Sequence, residues 1–250
     1  MTENPATRLY IPKPLIERAA VTLDTAQAHR LRHVLRLGAG STVTAFNEHD
    51  GEWLCRMTEE GRRGAALVPE RQLRAAESEA DLWLLFAPIK RARLDWLIEK
   101  ATELGAAALV PVWTARTQPE RLNQERLSTI AIAAAEQSER LSVPQVRAAE
   151  RLDTLLAAWP AERRLIVCDE TGGGVPIAGA LRGFEMMQAA AMLIGPEGGF
   201  TDTELDALSK LPIVTRVGLG PRVLRAETAA VAALAVFQAI AVDWRRARPR

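Results

Sequence analysis

Cysteine is scarce: the 250 residues contain two, Cys55 and Cys168. They lie far apart and form no CxxC pair, which argues against a disulfide framework or a zinc site. Long apolar runs are also missing. None reaches the ~18 residues that a membrane span needs, and the opening MTENPATRLYIPKP has no apolar core of signal-peptide type. The expected location is therefore the cytoplasm, with no membrane partner. A formal net charge of +1 gives no global attraction to nucleic acid. Lysine is rare too, supplying only Lys13, Lys90, Lys100 and Lys210 of the 32 basic residues. Arginine forms bidentate contacts with phosphate and stacks on bases. The bias is thus compatible with RNA, although genomic base composition is the plainer cause. No GxGxxG and no GK[ST] occurs, which weakens dinucleotide and phosphate-cradle readings. His29 and His33 stand at i and i+4 but have no HExxH or third ligand, so no metal is expected.

What is present fits a soluble globular chain of two domains, 48% hydrophobic and 25% charged. Residues 1–74 read as a small β-rich barrel or sheet with one helix. RLYIP, TVTAFN, EWLCRM and GAALVP are strand-like, and Asp50-Gly51 in EHDG marks a hairpin. DTAQAHRLRHVLRLG reads as a helix. Asp24 and Gln27 have capping-box spacing, Leu31, Val34 and Leu35 can share a face, and Gly38 stops it. ERQLRAAESEA, residues 70–80, has lost the strand pattern, so the domain boundary is placed there, leaving 75–250 as the second domain. In that second part apolar strands alternate with helices. The strands are DLWLLFAP, AAALVPV, RRLIVCD, AAAMLIG and PIVTRVGLG. RARLDWLIEKATELG is amphipathic, with Leu94, Leu97, Ile98, Ala101 and Leu104 at helical spacing and Gly105 as the stop. The alternation predicts an α/β fold with a mainly parallel sheet covered on both faces.

Two glycine-containing loops end strands in this part. LIGPEGGFTDTE puts three glycines and a proline into five positions before a helix that opens at Thr201, with Glu204 completing a capping box. VGLGPRVLRAET opens a second helix near Glu227 and Thr228. Ligands of parallel sheets bind beyond the carboxyl ends of strands. Pro, Gly and an acidic residue suit a ligand with little negative charge, such as an adenosine carrying a sulfonium. Ordinary tight connections remain the alternative.

Taken together and in order, LIGPEGGF and LGPRVLRAETA resemble the RsmE family of 16S ribosomal RNA methyltransferases, part of the SPOUT superfamily. The resemblance covers almost the whole chain. It includes His29 with Val34-Leu35-Arg36 and Gly38, then EKATELG (Glu99, Lys100, Glu103, Gly105), then AAEQSER (Glu136, Gln137, Arg140). It implies an N-terminal PUA-like β-barrel that binds RNA, followed by a SPOUT domain with a C-terminal trefoil knot. It further implies S-adenosylmethionine as cofactor, a homodimer, and methylation of uridine N3 in 16S ribosomal RNA of the small ribosomal subunit. Matched motif by motif, Leu193, Ile194, Gly195, Gly199, Leu219, Gly220, Val223, Leu224 and Thr228 are expected at the cofactor. Cys168 to Glu170 is expected to close a third side. Arg225 and Glu227 are expected to be catalytic: a cation that stabilises the uridine anion and a nearby carboxylate, with Glu197 as another. A role for Glu227 in favouring the helix N-terminus is the alternative. Arg8, Arg30, Arg32, Arg36 and Arg116 are the RNA candidates, with Arg121 and Arg140 behind them and a solvated face as the alternative. The tail residues Arg245, Arg246, Arg248 and Arg250 read as an RNA tether or a frayed end. The chain departs from the family pattern at Glu139, where glycine is usual. A methyltransferase acting on another RNA, such as transfer RNA, and a non-catalytic RNA-binding protein are the competing functions. A nicotinamide-dependent oxidoreductase has the wrong glycine spacing.

Overall fold

The computed structural model describes residues 5–61, 64–117, 121–184, 188–242 and 244. The chain divides into two units. The first comprises Met1–Ser78 with Ala135–Val143, and the second comprises Glu79–Ala134 with Pro144–Arg250.

The first unit is built on β1 (Arg8–Tyr10), β2 (Val21–Thr22), α1 (Thr25–His29), β3 (Thr42–Asn47), β4 (Gly51–Glu60) and β5 (Gly64–Arg74). The strands form one sheet in the order β1-β3-β4-β5-β2, parallel only at β1–β3. Two register shifts between β4 and β5, at Glu52/Trp53 and Leu54/Cys55, curl it. The hairpin falls at Asp50-Gly51 as expected. Asn47 Oδ1 accepts the amides of His49 and Asp50, and Gly51 takes φ +75°. Leu9, Ile11, Leu31, Val43, Ala45, Met57 and Leu67 fill its core.

Two local expectations change here. The helix begins where the capping box places it, with Asp24 Oδ1 accepting from Gln27 N at 2.7 Å. After five residues, however, it widens into a π-turn, Arg30–Val34, closed by Leu35 N to Arg30 O. The wider turn breaks the 3.6-residue phase. Leu31 is therefore buried while Val34 and Leu35 are 64% and 39% exposed. The helix stops not at Gly38 but through Arg36, which takes φ +57°. Second, β5 continues through Arg74 into the stretch that lacks strand alternation. Its last residues are largely solvated, but their backbone still pairs with β4, and Arg56–Glu70 and Arg74–Glu52 ion pairs bridge the strands.

The second unit contains β6 (Leu82–Phe86), α2 (Arg91–Glu103), β7 (Ala108–Trp113), α3 (Gln124–Gln137), β8 (Gln145–Val146), β9 (Glu150–Arg151) and α4 (Leu152–Ala157). It continues with β10 (Arg164–Cys168), β11 (Val175–Pro176), α5 (Ile177–Leu181), β12 (Ala190–Ile194), α6 (Asp202–Ser209), β13 (Val214–Gly218) and α7 (Ala226–Ala241). The end of α3 belongs to the first unit. The sheet runs β11-β13-β10-β12-β6-β7-β8, with β9 also pairing β7, and every pair is parallel. All five residues of β12 are buried, as parallel strands covered on both faces require. Helix α2 buries Leu94, Leu97, Ile98 and Ala101, while Leu104 is half-buried. It ends in a Schellman motif: Gly105, at φ +81°, donates to Thr102 O, and Ala106 donates to Ala101 O. Helix α7 buries Ala226, Ala230, Ala233, Leu234, Phe237 and Ala241, and Gln238 Nε2 donates to Leu104 O.

Candidate active site

Strand β10 lies between β12 and β13, so the carboxyl ends of these three strands stand side by side. Each is followed by a loop: 168–172 after β10, 195–200 after β12 and 219–225 after β13. Together with Arg93, Ala226 and Ala229 they enclose a cavity of about 520 Å³. That size suits a cofactor-sized molecule.

Glycine is needed at two points in these walls. Gly199 takes φ +69°, and a side chain there would run into the Glu170 carboxylate, whose Oε1 accepts the Phe200 amide at 3.2 Å. Gly195 is crossed by the Phe200 ring, 2.8 Å from where a Cβ would stand. The Thr201 capping box forms, with Thr201 N donating to Glu204 Oε2 at 2.8 Å and Glu204 N to Thr201 Oγ1 at 3.2 Å. It begins α6 directly after the loop and fixes where the loop must end.

Ile194, Gly195, Gly199, Leu219, Gly220, Val223 and Leu224 line the cavity. Cys168, Asp169 and Glu170 supply its third side, joined by Thr171 and Gly172. Leu193, Glu227 and Thr228 do not line it. Leu193 is fully buried in the sheet core, because strand alternation turns it away from its neighbour Ile194, and Thr228 is exposed on α7. Cys168 is buried, and desolvation, helped by the Glu170 charge, pushes its thiol up to about 12. It stays a protonated wall group rather than a nucleophile. Burial alone would raise the Asp169 carboxyl. Hydrogen bonds from Thr171 and the Arg216 guanidinium, 2.6 Å away, outweigh that and hold it below the usual carboxylate range. The same contacts fasten the 168–172 loop to β13.

Arg225 is exposed on the cavity wall at the N-cap of α7. Glu227, two residues on, is 12% exposed. Its Oε1 lies 3.6 Å from Arg93 Nε, and its Oε2 is buried without a hydrogen-bond partner among the described residues. Arg93 also contacts Glu197 Oε1 through Nη1 at 2.5 Å. Sequence reasoning missed Arg93. It belongs to none of the glycine loops, and a basic residue in the first turn of an amphipathic helix reads as a solvated one.

The arginines named for RNA are differently placed. Arg8 is largely buried, with its guanidinium committed to Glu52 Oε1 at 2.5 Å and to the carbonyls of Ala135 and Arg140. Its role is to hold the first unit together rather than to meet phosphate. Arg116 donates to the carbonyls of Gly198 (2.8 Å) and Phe200 (3.2 Å) and so pins the cavity loop. Arg30 pairs with Glu136 at 2.6 Å but stays 45% exposed, and Arg32 donates to Gly64 O at 3.0 Å. Arg36 is exposed beside the π-turn. Arg140 donates to Ser142 Oγ, and Arg121 edges a separate hollow of about 260 Å³ beside Trp113. The tail arginines lie outside the described residues.

The chain is similar to known proteins over almost all of its length. Residues 76–238 match the RNA methyltransferase domain family, and residues 23–70 match the RNA methyltransferase PUA domain. The ribosomal RNA small subunit methyltransferase E of Rickettsia conorii is 32% identical over 91% of this chain and 93% of its own length. That of Synechocystis is 34% identical over 94% of this chain and 78% of its own. The crystal structure of the Neisseria gonorrhoeae enzyme of the same name, bound to S-adenosyl methionine, aligns with a TM-score of 0.81 at 28% identity, covering 94% and 98% of the two chains. With a methyltransferase domain over most of its length, a PUA domain before it and relatives matched nearly end to end, the chain belongs to the ribosomal RNA small subunit methyltransferase E family.

Proposed function

We propose that the protein methylates N3 of a specific uridine in 16S ribosomal RNA of the small ribosomal subunit, using S-adenosylmethionine. The observation that carries this reading is the cavity walled by three adjacent strand-end loops. Its chemistry fits the cofactor. Gly195 and Gly199 let Phe200 and Glu170 pack directly against the wall, and Leu219, Val223 and Leu224 offer apolar surface to an adenine. When bound, the cofactor supplies an electrophilic methyl group next to a positive sulfur.

This chain's own residues meet the demands of the acceptor. N3 lies on the Watson–Crick edge, so the base must leave any pair or stack before it reaches the cavity. N3 carries a proton that must leave as the N–C bond forms. Arg225 is exposed on the wall, where its guanidinium stabilises negative charge developing on the uracil. Glu227, two residues on and beside the cavity, is the neighbouring carboxylate and serves as the proton acceptor.

The domain reading accompanies this function. Residues 1–74 form the PUA-like, RNA-binding part, with Arg30, Arg32 and Arg36 as its phosphate contacts. Residues 75–250 form the SPOUT part, whose last elements thread the trefoil knot of that superfamily. The enzyme works in the cytoplasm as a homodimer. Support for the pairing comes from α7, where Val231, Val236 and Ile240 stay only half-buried, and from neighbouring α2, where Trp96 is 41% exposed.

The test is methyl transfer from labelled S-adenosylmethionine to small subunits isolated from cells lacking the protein, with the product nucleoside identified. The expected product is N3-methyluridine at one site. Arg225→Ala should bind cofactor normally yet transfer about a hundredfold more slowly or worse. Transfer to another RNA, or no binding of the cofactor, would replace this reading with one of its competitors.

A further inference from the structure

We propose that Arg93 is a positioning residue for methyl transfer, clamping the two flanks of the cavity through one carboxylate on each. The inference rests on the methyltransferase reading and adds to it a residue outside the glycine loops. Arg93 is the third residue of α2 and lines the cavity. Its Nη1 holds Glu197 on the loop after β12 at 2.5 Å, and its Nε lies 3.6 Å from Glu227 in the first turn of α7. Arg93 stands more than a hundred positions before either carboxylate; it and Glu197 line the cavity, and Glu227 lies just outside the lining beside Ala226.

The energetics favour geometry over stability as the purpose. Glu197 is half exposed and Arg93 is 35% exposed. Such a pair adds little to folding, because water screens it and two long side chains lose freedom. Glu227 differs: at 12% exposure it is mostly desolvated, and Oε2 has no donor among the described residues. A carboxylate kept there needs a cation beside it. Arg93 supplies that charge and leaves the second oxygen unsatisfied. Its rigid planar fork fixes the direction of the Glu197 hydrogen bond while keeping its charge beside Glu227, whereas a lysine ammonium is a compact charge on a flexible stem. Without the guanidinium, Glu197 and Glu227 lose the cation they share. The 195–200 loop is then free to part from α7, and Arg225, two residues before Glu227, loses its fixed place. Arg93 thus acts through Glu227 and Arg225 on the reacting groups, and through Glu197 on a loop that Arg116 already pins from the other side.

The experiment measures cofactor affinity by calorimetry and the single-turnover methyl-transfer rate on saturating small subunits, for the wild type, Arg93→Ala and Arg93→Lys. Misplacement of reacting groups by about an ångström costs about a hundredfold in rate. Arg93→Ala should lose about that factor while its affinity for S-adenosylmethionine changes less than about threefold. Arg93→Lys should recover roughly a tenth of the wild-type rate, and it carries the test if the alanine variant does not fold. A merely structural residue would lower affinity, melting temperature and rate together, with no rescue by lysine. That pattern, or an unchanged rate in Arg93→Ala beside an active wild type, overturns the inference and leaves the methyltransferase reading standing. A wild type that transfers no methyl to any RNA overturns both.

Discussion

Gly199 shows how strongly one position can constrain a site. Its backbone is left-handed, and the space a side chain would take belongs to the carboxylate of Glu170, which holds the Phe200 amide. Gly199→Ala therefore carries two penalties, a strained φ and a displaced Glu170. The expected outcome is a drop in S-adenosylmethionine affinity of about tenfold or more, read by calorimetry, with the fold retained in circular dichroism. Gly198 makes a useful control, since a Cβ there meets only the flexible Arg116 side chain at 3.6 Å. Its replacement by alanine should leave affinity near that of the wild type. Arginine illustrates the limits of reading single residues. Arg8, Arg116 and Arg225 share one chemistry in the sequence, yet one ends in buried carbonyls, one in a loop and one on the cavity wall. A guanidinium pairs as readily with a peptide oxygen as with a phosphate, and only the fold decides which it meets.

Local chemistry governs the ends of the elements. The capping boxes at Asp24–Gln27 and Thr201–Glu204, the Asp50-Gly51 turn and the Gly105 stop all stand where the residues place them, because each works over three or four positions. The π-turn at Arg30–Val34 and the run of β5 through Arg74 escaped notice. The first depends on how Leu31 packs, and the second on backbone pairing with β4. The cavity was legible as far as its glycines and apolar lining. Arg93 was not, since 104 residues separate it from Glu197. The backbone after α3 suits a glycine at position 139. Glu139 follows the helix with φ +61°, a conformation that costs a residue bearing a Cβ about 1 kcal/mol. The Glu139 charge also favours the buried Arg8 guanidinium, so Glu139→Gly, which relieves the strain and removes that charge, should change stability by less than about 1 kcal/mol in a denaturant titration and leave methyl transfer unchanged. A more strongly destabilised variant would mean that the side chain makes contacts worth more than the strain.

At the scale of the whole molecule, the apolar surface left on α7 and α2 bears on assembly. Sedimentation velocity should give a particle of twice the 27.3 kDa chain mass, and Trp96→Glu with Val231→Glu should halve it. A wild type that sediments as one chain at micromolar concentration would remove the homodimer from the proposed function. The division into units carries another consequence. Residues 135–143 belong with the first 78, and they bring the Ala135 and Arg140 carbonyls that receive the Arg8 guanidinium and the Glu136 carboxylate that meets Tyr10 N and Arg30. During synthesis, the N-terminal sheet emerges more than fifty residues before the segment that completes it. Until then Arg8 and Phe46 lack part of their surroundings. A fragment cut at the apparent boundary would carry the same defect permanently, so the amino-terminal unit matures only once the nascent chain has passed residue 143.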